Sequence, residues 1–331
     1  MTREPPHAPS LTAATEAARL SPVFDADKLA AELAAVTAHT WNVQRTHTYG
    51  GQTGRPAAID WRVLPLRSLG GDPERTDPGG PSPKPFAPTR WLDRLPYLAQ
   101  ILDSVPAPLN AVRLMALGPG AVSDPHRDPK YRLDRGIVRL HIPVVTDPGA
   151  VLVLDGVEHC WQPGTCWYGD FSREHLVRNT GTTVTRVHVV IDALLTADLA
   201  AWFPDDWQEF LAHGEVLFNR TGPTGAPAWP GGLPYEALLP SGFADFDSPA
   251  PLDGSLIPAR IDRDADSVLA LTVAGRTFAL VPVDDAGEFR FSGWSEQRTL
   301  QPDGDGAGLT LRVRRGRALA DRHVTAAPRA S

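Results

Sequence analysis

The stretch HRDPKYRLDRGIVRLHIP, residues 126–143, decides which fold the rest of the sequence has to support. It contains two polar pairs, His126/Asp128 and Arg139/His141, and one residue separates the members of each pair. Side chains two residues apart on a strand point to the same face. Strand faces that carry such side chains inside an apolar neighbourhood indicate a functional site. We expect the residues between the pairs to form a turn that brings the second strand alongside the first.

Short apolar runs around this stretch predict further strands. They are rich in β-branched or aromatic residues and are bounded by Gly, Pro, Asp or Asn, as in antiparallel sandwiches and barrels. The runs begin at Val112, Ile137, Ala150, Cys166 and Thr185. The sequence therefore predicts a mainly β fold.

Changes in composition divide the chain into four predicted segments. Residues 1–22 are rich in Pro, Ala and Thr and predict a flexible arm. Residues 23–197 hold the β domain, which begins with a helix capped by Asp25. A helical pattern predicts a connector over residues 198–220, and residues 221–331 predict a small β-rich accessory domain.

A Pro-, Gly- and Ser-rich segment, GGDPERTDPGGPSPKPFAP, occupies residues 70–88. A loop of this length is either functional, for example as a lid over a site, or disordered. Both interpretations remain open from the sequence.

Charge and cysteine content exclude several classes of protein. The net charge is −7, and the one basic run, RVRRGR at residues 312–317, has the character of a solvated strand end, so no nucleic-acid partner is expected. Cys160 and Cys166 form no C-x-x-C motif, which favours a reducing intracellular setting. Residues 1–20 contain no long apolar run, so we expect neither a signal peptide nor a membrane anchor, and a cytoplasmic location.

Three residues form a candidate metal site. His126 and Asp128 share a strand face, and His175 follows Asp128 by 47 positions in a turn-rich segment between two apolar runs. Two histidines and one carboxylate leave coordination positions open on Fe(II), as O2 and a co-substrate require. A structural zinc site would take a fourth protein ligand, and no pairing of cysteines offers one.

Arg186 follows His175 by eleven residues on an apolar strand. Strand alternation turns Arg186 inward together with His188, while the valines between pack on the other side. A guanidinium matches the geometry of a carboxylate, so Arg186 is a candidate residue for binding a dicarboxylate. The alternative is a surface arginine on an edge strand.

Arg139 and His141 follow the same alternation on the strand that begins at Ile137. One of them could bind a second carboxylate, of a co-substrate or of a substrate. A salt bridge from Arg139 to Asp170 or Asp128 is the other interpretation.

Together these motifs resemble the aspartyl/asparaginyl β-hydroxylase family of Fe(II)/2-oxoglutarate dioxygenases, which includes bacterial proline hydroxylases. The resemblance covers roughly residues 40–195 and rests on several motifs in family order. The motifs are Leu117-Gly-Pro-Gly-x-x-x-x-Pro-His126-x-Asp128, Arg139-Leu-His-Ile-Pro143, the series Gly164, Trp167, Asp170, His175, Val177 and Asn179, and Arg186-x-His188.

The resemblance implies a double-stranded β-helix (jelly-roll) core with flanking helices and a hydroxylase that uses Fe(II), 2-oxoglutarate and O2. The residues that it implies for iron are His126, Asp128 and His175, and those for 2-oxoglutarate are Arg186, on the distal carboxylate, and Arg139 and His141. The implied substrate is an amino-acid residue. The additional C-terminal domain favours a peptide-borne or carrier-bound substrate over a free amino acid.

The sequence differs from the family pattern at two points. Arg186 lies one residue further from His175 than is usual, and Met115 occupies the place of a co-substrate-binding serine of the animal enzymes. Those animal enzymes lack the metal carboxylate, whereas this chain has Asp128 and so looks more like the bacterial amino-acid hydroxylases.

Two other functions fit parts of the pattern. One is a non-catalytic metal-binding or ligand-sensing β-sandwich module, and the other is a cupin-type metalloenzyme that does not use 2-oxoglutarate. Neither requires a buried, inward-facing Arg186.

Overall fold

The computed structural model describes residues 15–48, 52–222, 229–230 and 232–326. In the first part of the chain the elements are β1 (Ala17–Val23), α1 (Ala26–Ala34), β2 (Asn42–Val43), β3 (Arg45–Thr48), β4 (Gln52–Pro56), β5 (Trp61–Leu69), β6 (Phe86–Pro88), α2 (Pro96–Ser104), β7 (Leu109–Leu117), β8 (Ile137–Val145), β9 (Ala150–Leu154), β10 (Val157–His159), β11 (Thr165–Gly169), β12 (His175–Asn179), β13 (Arg186–Leu194), α3 (Ala197–Ala200) and α4 (Asp205–His213). In the second part they are β14 (Tyr235–Pro240), β15 (Leu256–Arg263), β16 (Leu269–Val273), β17 (Arg276–Pro282), β18 (Phe289–Phe291), β19 (Arg298–Pro302), β20 (Gly308–Arg315) and β21 (Ala318–Thr325).

Two facing sheets and a separate two-stranded sheet, β3-β4, form the first part of the chain. The larger has the strand order β1-β11-β8-β13-β7-β5-β2, with β6 also paired to β5, and the smaller has the order β10-β9-β12. Residues 120–128 extend the smaller sheet, because their backbone exchanges hydrogen bonds with β12 and the residues before it. This arrangement is a double-stranded β-helix, and the predicted fold class is confirmed.

The larger sheet separates a hydrophobic core from the space between the sheets. On β13, Val187, Val189 and Ile191 are buried in the core that also receives the apolar faces of α1 and α2. The alternating positions Arg186 and His188 therefore point between the two sheets. Strand β13 thus contributes apolar side chains to the core on one face and polar side chains to the cavity on the other.

A strand lies within the predicted arm, and the predicted connector packs on the first part of the chain, while the division into four segments stays a prediction. Residues 1–14 of the predicted arm lie outside the described residues, but residues 17–23 form β1, whose Leu20 is buried and whose backbone pairs with β11. Residues 198–220 include helix α4, in agreement with the predicted helical pattern, and Trp207 and other apolar residues of this segment pack into the core of the first part.

The turn expected between the two polar pairs does not place their strands side by side. Residues 126–128 lie in the smaller sheet, whereas β8 lies in the larger sheet between β11 and β13. The segment that connects the two pairs crosses from one sheet to the other. Its residues Tyr131 and Leu133 are buried. The two polar pairs face each other across the cavity.

The second part of the chain is a separate antiparallel β domain. Its eight strands follow one another in sequence order from β14 to β21, and a bridge between Ala237 and Ala326 nearly closes the sheet into a barrel. Aromatic side chains fill its interior, with Phe243, Phe291 and Trp294 completely buried. This confirms the predicted C-terminal β domain.

Residues 70–88 lie against this C-terminal domain. The Ala279 amide donates to the Ser82 carbonyl at 2.8 Å, and the Ser292 hydroxyl donates to the Lys84 carbonyl at 3.2 Å. Gly293 has a φ of 77°, and a Cβ at this residue would lie only 2.2 Å from the Gly80 carbonyl oxygen. The close approach of the two segments therefore requires glycine at 293.

In the part of the chain that the structure describes, no helix is long and apolar enough to cross a membrane.

We predict that Gly293→Ala destabilises the protein more than Gly287→Ala. Both glycines have a φ near 78° (77° and 79°), but a Cβ at Gly287 would meet nothing within 4 Å. Each alanine adds the cost of a left-handed backbone, about 1–2 kcal/mol, and only Gly293→Ala adds a clash. We expect it to lose roughly 2 kcal/mol more in denaturant unfolding and to expose residues 70–88 to protease. Equal losses for both variants would contradict the packing described here.

Candidate active site

The backbone pairs His126 directly with His175. The His126 amide donates to the His175 carbonyl at 2.9 Å, and the His175 amide donates back to the His126 carbonyl at 2.9 Å. Residues paired in this way have their side chains on the same face of the sheet. The two imidazole centroids are 4.2 Å apart.

Both histidines are oriented through Nδ1. His126 Nδ1 lies 2.9 Å from the Asp124 carbonyl oxygen, and His175 Nδ1 lies 3.0 Å from the Arg173 carbonyl oxygen. A carbonyl only accepts hydrogen bonds, so each Nδ1 carries a proton and each Nε2 keeps a lone pair for a metal. Burial lowers the pKa of His175 to about 4, so its imidazole is neutral at neutral pH.

Asp128 completes a set of three possible ligands. Ligand atoms of His126, Asp128 and His175 all lie within 4.8 Å of one another. Burial alone would raise the pKa of Asp128, but Arg139, His175 and His126 around it hold that pKa below its ordinary value. Two imidazoles and one carboxylate fit Fe(II) or a similar divalent transition metal. The structure therefore brings together the three residues that the sequence predicted.

Arg139 connects this set to the larger sheet. Its Nη1 donates to Asp128 Oδ2 at 2.7 Å, and its Nε donates to Asp192 Oδ1 at 2.7 Å. The guanidinium also stacks on Tyr131, with 3.8 Å from Cζ to the ring centroid. Of the two predicted salt bridges, the one with Asp128 is present, whereas Asp170 is bonded to Arg173. Arg139 thus orients the Asp128 carboxylate, and its contact with a co-substrate stays a prediction.

Asp192 is a carboxylate that lies behind the site, among positively charged side chains. Its carboxylate accepts from Arg139 and, at 2.6 Å, from the Tyr131 hydroxyl, and it lies 3.5 Å from Arg113 Nη2. Burial alone would raise the pKa of Asp192, but Arg139 and Arg113 hold it below its ordinary value. Asp192 is therefore a buried anion that stabilises the arginines of the cavity.

Arg186 lies in the cavity, as its alternation on β13 predicts. It is 3% exposed, and its Nη2 donates to His188 Nδ1 at 3.0 Å. Burial lowers the pKa of Arg186 to about 10, so the side chain keeps its charge at neutral pH. Its hydrogen-bond partner among the described residues is a neutral imidazole, and a buried guanidinium paired in this way can accept an anionic ligand.

His141 and His188 lie beside Arg186. Their Nδ1 atoms are 3.3 Å apart, and neither Nε2 has a hydrogen-bond partner among the described residues. Burial and then the nearby charge of Arg186 hold the pKa of each well below its ordinary value. His141 lines the cavity, as predicted, and stacks on Phe171 with 5.0 Å between centroids.

The cavity between the sheets has a volume of about 440 Å³. Segment 78–80 forms part of its wall and is held there by two contacts. Lys130 Nζ donates to the Gly79 carbonyl at 2.6 Å, and the Gly79 amide donates to Asp77. Asp247 of the C-terminal domain lines the same cavity. Residues 70–88 and the C-terminal domain thus both contribute to the wall of the site.

Sequence reasoning missed several residues that line the cavity or lie directly behind it. Arg113 interrupts an apolar strand at the same alternation that revealed Arg186, and Asp192 continues the inward series of β13. These two could have been found from strand period alone. Gln44 and Asp247 carried no such signal, because only tertiary packing brings their segments to the cavity.

Comparisons with known proteins agree with the motifs. A family model described as Aspartyl/Asparaginyl beta-hydroxylase matches residues 24–195. A search of curated proteins gave no match.

Several solved structures are similar over part of the chain. An oxidoreductase of the 2OG-Fe(II) oxygenase family from Burkholderia pseudomallei has 14% identity and a TM-score of 0.34, covering 52% of this chain and 79% of that chain. A prolyl-4-hydroxylase from Pseudomonas putida has 18% identity and a TM-score of 0.32, covering 55% and 94%. A predicted oxalate decarboxylase from Thermotoga maritima has 17% identity and a TM-score of 0.22, covering 29% and 73%.

We predict that His126→Ala and Asp128→Ala each weaken the binding of Mn(II) by at least about 100-fold in calorimetry. Loss of a group that merely orients a ligand costs 10–100-fold, so loss of a ligand costs more. His323→Ala removes a histidine outside the cavity, paired with Asp303, and serves as the control. An affinity equal to wild type in both site variants would show that the three residues do not bind metal.

Metal-free protein should lose stability as the pH falls below 6.5. Burial holds the pKa of His141 and His188 well below that ordinary value and that of His175 at about 4. The unfolded chain therefore takes up protons that the folded protein does not, and each histidine contributes up to about 1.4 kcal/mol per pH unit. Denaturant unfolding from pH 7 to pH 4.5 should show a shallower slope for His188→Gln. An unchanged slope would mean that His188 is not held neutral.

Proposed function

The chain belongs to the aspartyl/asparaginyl β-hydroxylase family, and from that membership we propose that it hydroxylates an amino-acid residue with Fe(II), 2-oxoglutarate and O2. One observation carries the proposal: the three candidate ligands and the buried Arg186 line the same cavity. A metal site needs no buried cation beside it, whereas an anionic co-substrate does.

The proposed reaction consumes one 2-oxoglutarate and one O2 for each hydroxylated C–H bond. 2-Oxoglutarate loses CO2 and takes one oxygen atom to become succinate, and the other oxygen atom enters the C–H bond as a hydroxyl group. Fe(II), when bound, supplies the one-electron chemistry that allows O2 to react with these molecules.

The protein contributes positioning. His126 and His175 present Nε2, because carbonyl oxygens occupy their Nδ1 protons, and Arg139 holds one oxygen of Asp128 so that the other is free for metal. Arg186 would bind the distal carboxylate of 2-oxoglutarate through its planar fork. Residues 78–80 form part of the cavity wall and so limit the access of water to the reacting groups.

The competing functions explain less of the cavity. A metal-binding or ligand-sensing module and a cupin-type enzyme without 2-oxoglutarate would both use the three ligands. Neither gives a reason for Arg186, which is 3% exposed and pairs with a neutral imidazole. The buried guanidinium therefore favours the hydroxylase.

The proposed substrate is an amino-acid residue carried in a peptide or on a carrier. The C-terminal domain supports this, because it lies beside the cavity, where Asp247 contributes to the wall. A domain in that position can contact the parts of a large substrate that extend beyond the reacting residue.

We predict that Arg186→Met raises the KM for 2-oxoglutarate by at least about 30-fold, since removal of one partner from a buried charge pair has effects of this size. Succinate formation with Fe(II) and O2 measures it. Arg67→Met is the matched control, because Arg67 lies on β5, donates to the Leu109 and Phe86 carbonyls and does not line the cavity. An unchanged KM would show that Arg186 does not bind the co-substrate. Metal binding without any succinate formation by the wild type would favour the sensing module.

A further inference from the structure

The hairpin formed by β3 and β4 lies at the mouth of the cavity. Residues of both strands line the cavity, among them Arg45 and Arg55. The side chains of these two arginines are exposed, whereas Arg113 and Arg186 of the same cavity are buried. Arg45 and Arg55 therefore lie at the rim of the cavity, and we call them the rim arginines.

A β-bulge brings the rim arginines next to each other. Arg45 is paired with Pro56, and the register of the hairpin shifts by one residue after this pair. A Cβ on Gly54 would lie 2.1 Å from Thr46 Oγ1, so Gly54 is opposite Thr46 and the additional residue on β4 is Arg55. In a bulge two residues of one strand oppose one residue of the other, here Arg55 and Pro56 against Arg45. Side chains opposed in this way begin about 5 Å apart, so both guanidinium groups can reach one ligand.

Backbone hydrogen bonds fix the base of the hairpin. The Gln44 amide donates to the Trp61 carbonyl at 2.8 Å, and the Ala57 amide donates to the Gln44 carbonyl at 2.7 Å. Gln44 precedes β3 and Ala57 follows β4, so both ends of the hairpin are tied to the start of β5. Regular backbone structure thus holds the rim arginines at the cavity mouth.

The rim arginines have no acidic partner among the described residues. The Arg45 side chain donates one hydrogen bond, to the Gly54 carbonyl at 3.0 Å, and the Arg55 side chain forms none there. The chain has 39 acidic and 32 basic residues, so two adjacent cations without an anion run against its overall charge balance. Two like charges at this spacing repel each other, and an anion bound between them removes the repulsion.

The acidic side chains near the hairpin already have basic partners. An Asp60 oxygen lies 2.8 Å from Arg62 Nε. The Asp77 carboxylate lies 2.8 Å from Arg75 Nε and 2.9 Å from His47 Nδ1. The rim arginines are therefore available to an anion that comes from a ligand.

We infer that the rim arginines bind an anionic side chain of a peptide substrate, at a residue other than the one that is hydroxylated. The inference rests on the function proposed above and specifies its substrate class. Successive residues of an extended peptide are about 3.3 Å apart, so residues that flank the reacting one extend from the candidate metal site towards the rim. The anion is the carboxylate of an acidic residue or the phosphoryl group of a phosphorylated residue, since both offer oxygen acceptors to a guanidinium.

Peptides that differ at one flanking position test the inference. The probes are acetylated and amidated nonapeptides with Pro, Asp or Asn at the centre and alanine elsewhere, in which one flanking position carries Glu, phosphoserine, Gln or Lys. Calorimetry with the full chain loaded with Mn(II) and 2-oxoglutarate measures binding without turnover.

We expect Glu or phosphoserine at one flanking position to bind at least about 5-fold more tightly than Gln at about 50 mM salt, as two exposed charge pairs allow. At about 500 mM salt the difference should fall below about 2-fold, because salt screens exposed charges. The side chain that shows the larger preference identifies the source of the anion.

Variants connect the preference to the rim arginines. Arg45→Gln combined with Arg55→Gln should bind the Glu, phosphoserine and Gln peptides alike, and Arg45→Glu combined with Arg55→Glu should prefer Lys at the same position. Arg178→Gln combined with Arg260→Gln is the matched control, because both arginines pair with glutamates outside the cavity, and it should keep the full preference. Thermal unfolding checks that each variant is folded, and Arg55→Gln alone decides the matter if the double variants are not.

Several results would overturn the inference: no binding of any peptide, equal binding of the Glu, phosphoserine and Gln peptides at every flanking position, or a preference that survives in the rim variants. A preference lost equally in the control would also do so, because it would reflect the net charge of the protein. Failure of the proposed function is distinguishable, since the wild type would then form no succinate from 2-oxoglutarate with Fe(II) and O2, whichever peptides it binds.

Discussion

The direct backbone pairing of His126 with His175 is the constraint on which the site depends. Their two reciprocal hydrogen bonds of 2.9 Å place both imidazoles on one face of the smaller sheet. Strand alternation then fixes Asp128 on the same face. A shift of one residue in this register would turn the side chains out of the cavity. Regular backbone hydrogen bonds therefore set the geometry of the three candidate ligands.

The cost of burying charged side chains is the second constraint, and Asp192 is the buried carboxylate that reduces this cost. Burying a cation is costly unless an anion with good hydrogen bonds lies beside it. Asp192 meets this need for Arg139, which in turn holds Asp128, so one carboxylate in the larger sheet helps to orient a ligand in the smaller sheet. The same carboxylate lies 3.5 Å from Arg113 Nη2, which has no hydrogen-bond partner among the described residues. Among the described residues, basic side chains thus outnumber the two aspartates that line the cavity, Asp128 and Asp247.

The alternation of side chains between the two faces of a strand made much of the fold and of the site predictable. The i, i+2 pattern identified His126 with Asp128 and the inward direction of Arg186, since the alternation of side chains is a local property of the backbone. The pairing of strands is not local. The sequence therefore placed β8 beside residues 126–128, although the structure has them in opposite sheets. It also treated residues 17–22 as an arm, because one buried leucine is a weak signal without the partner strand β11. Asp247 reaches the cavity only through the packing of a second domain.

The central claim is that one cavity binds Fe(II) and 2-oxoglutarate together, and an anaerobic absorption spectrum tests it most directly. Addition of Fe(II) and 2-oxoglutarate to the protein without O2 should produce the weak visible charge-transfer band of a chelated complex. The band should require both additions and should be lost in His175→Ala, which removes a candidate ligand. No band with the wild type, or the same band with His175→Ala, would contradict the account.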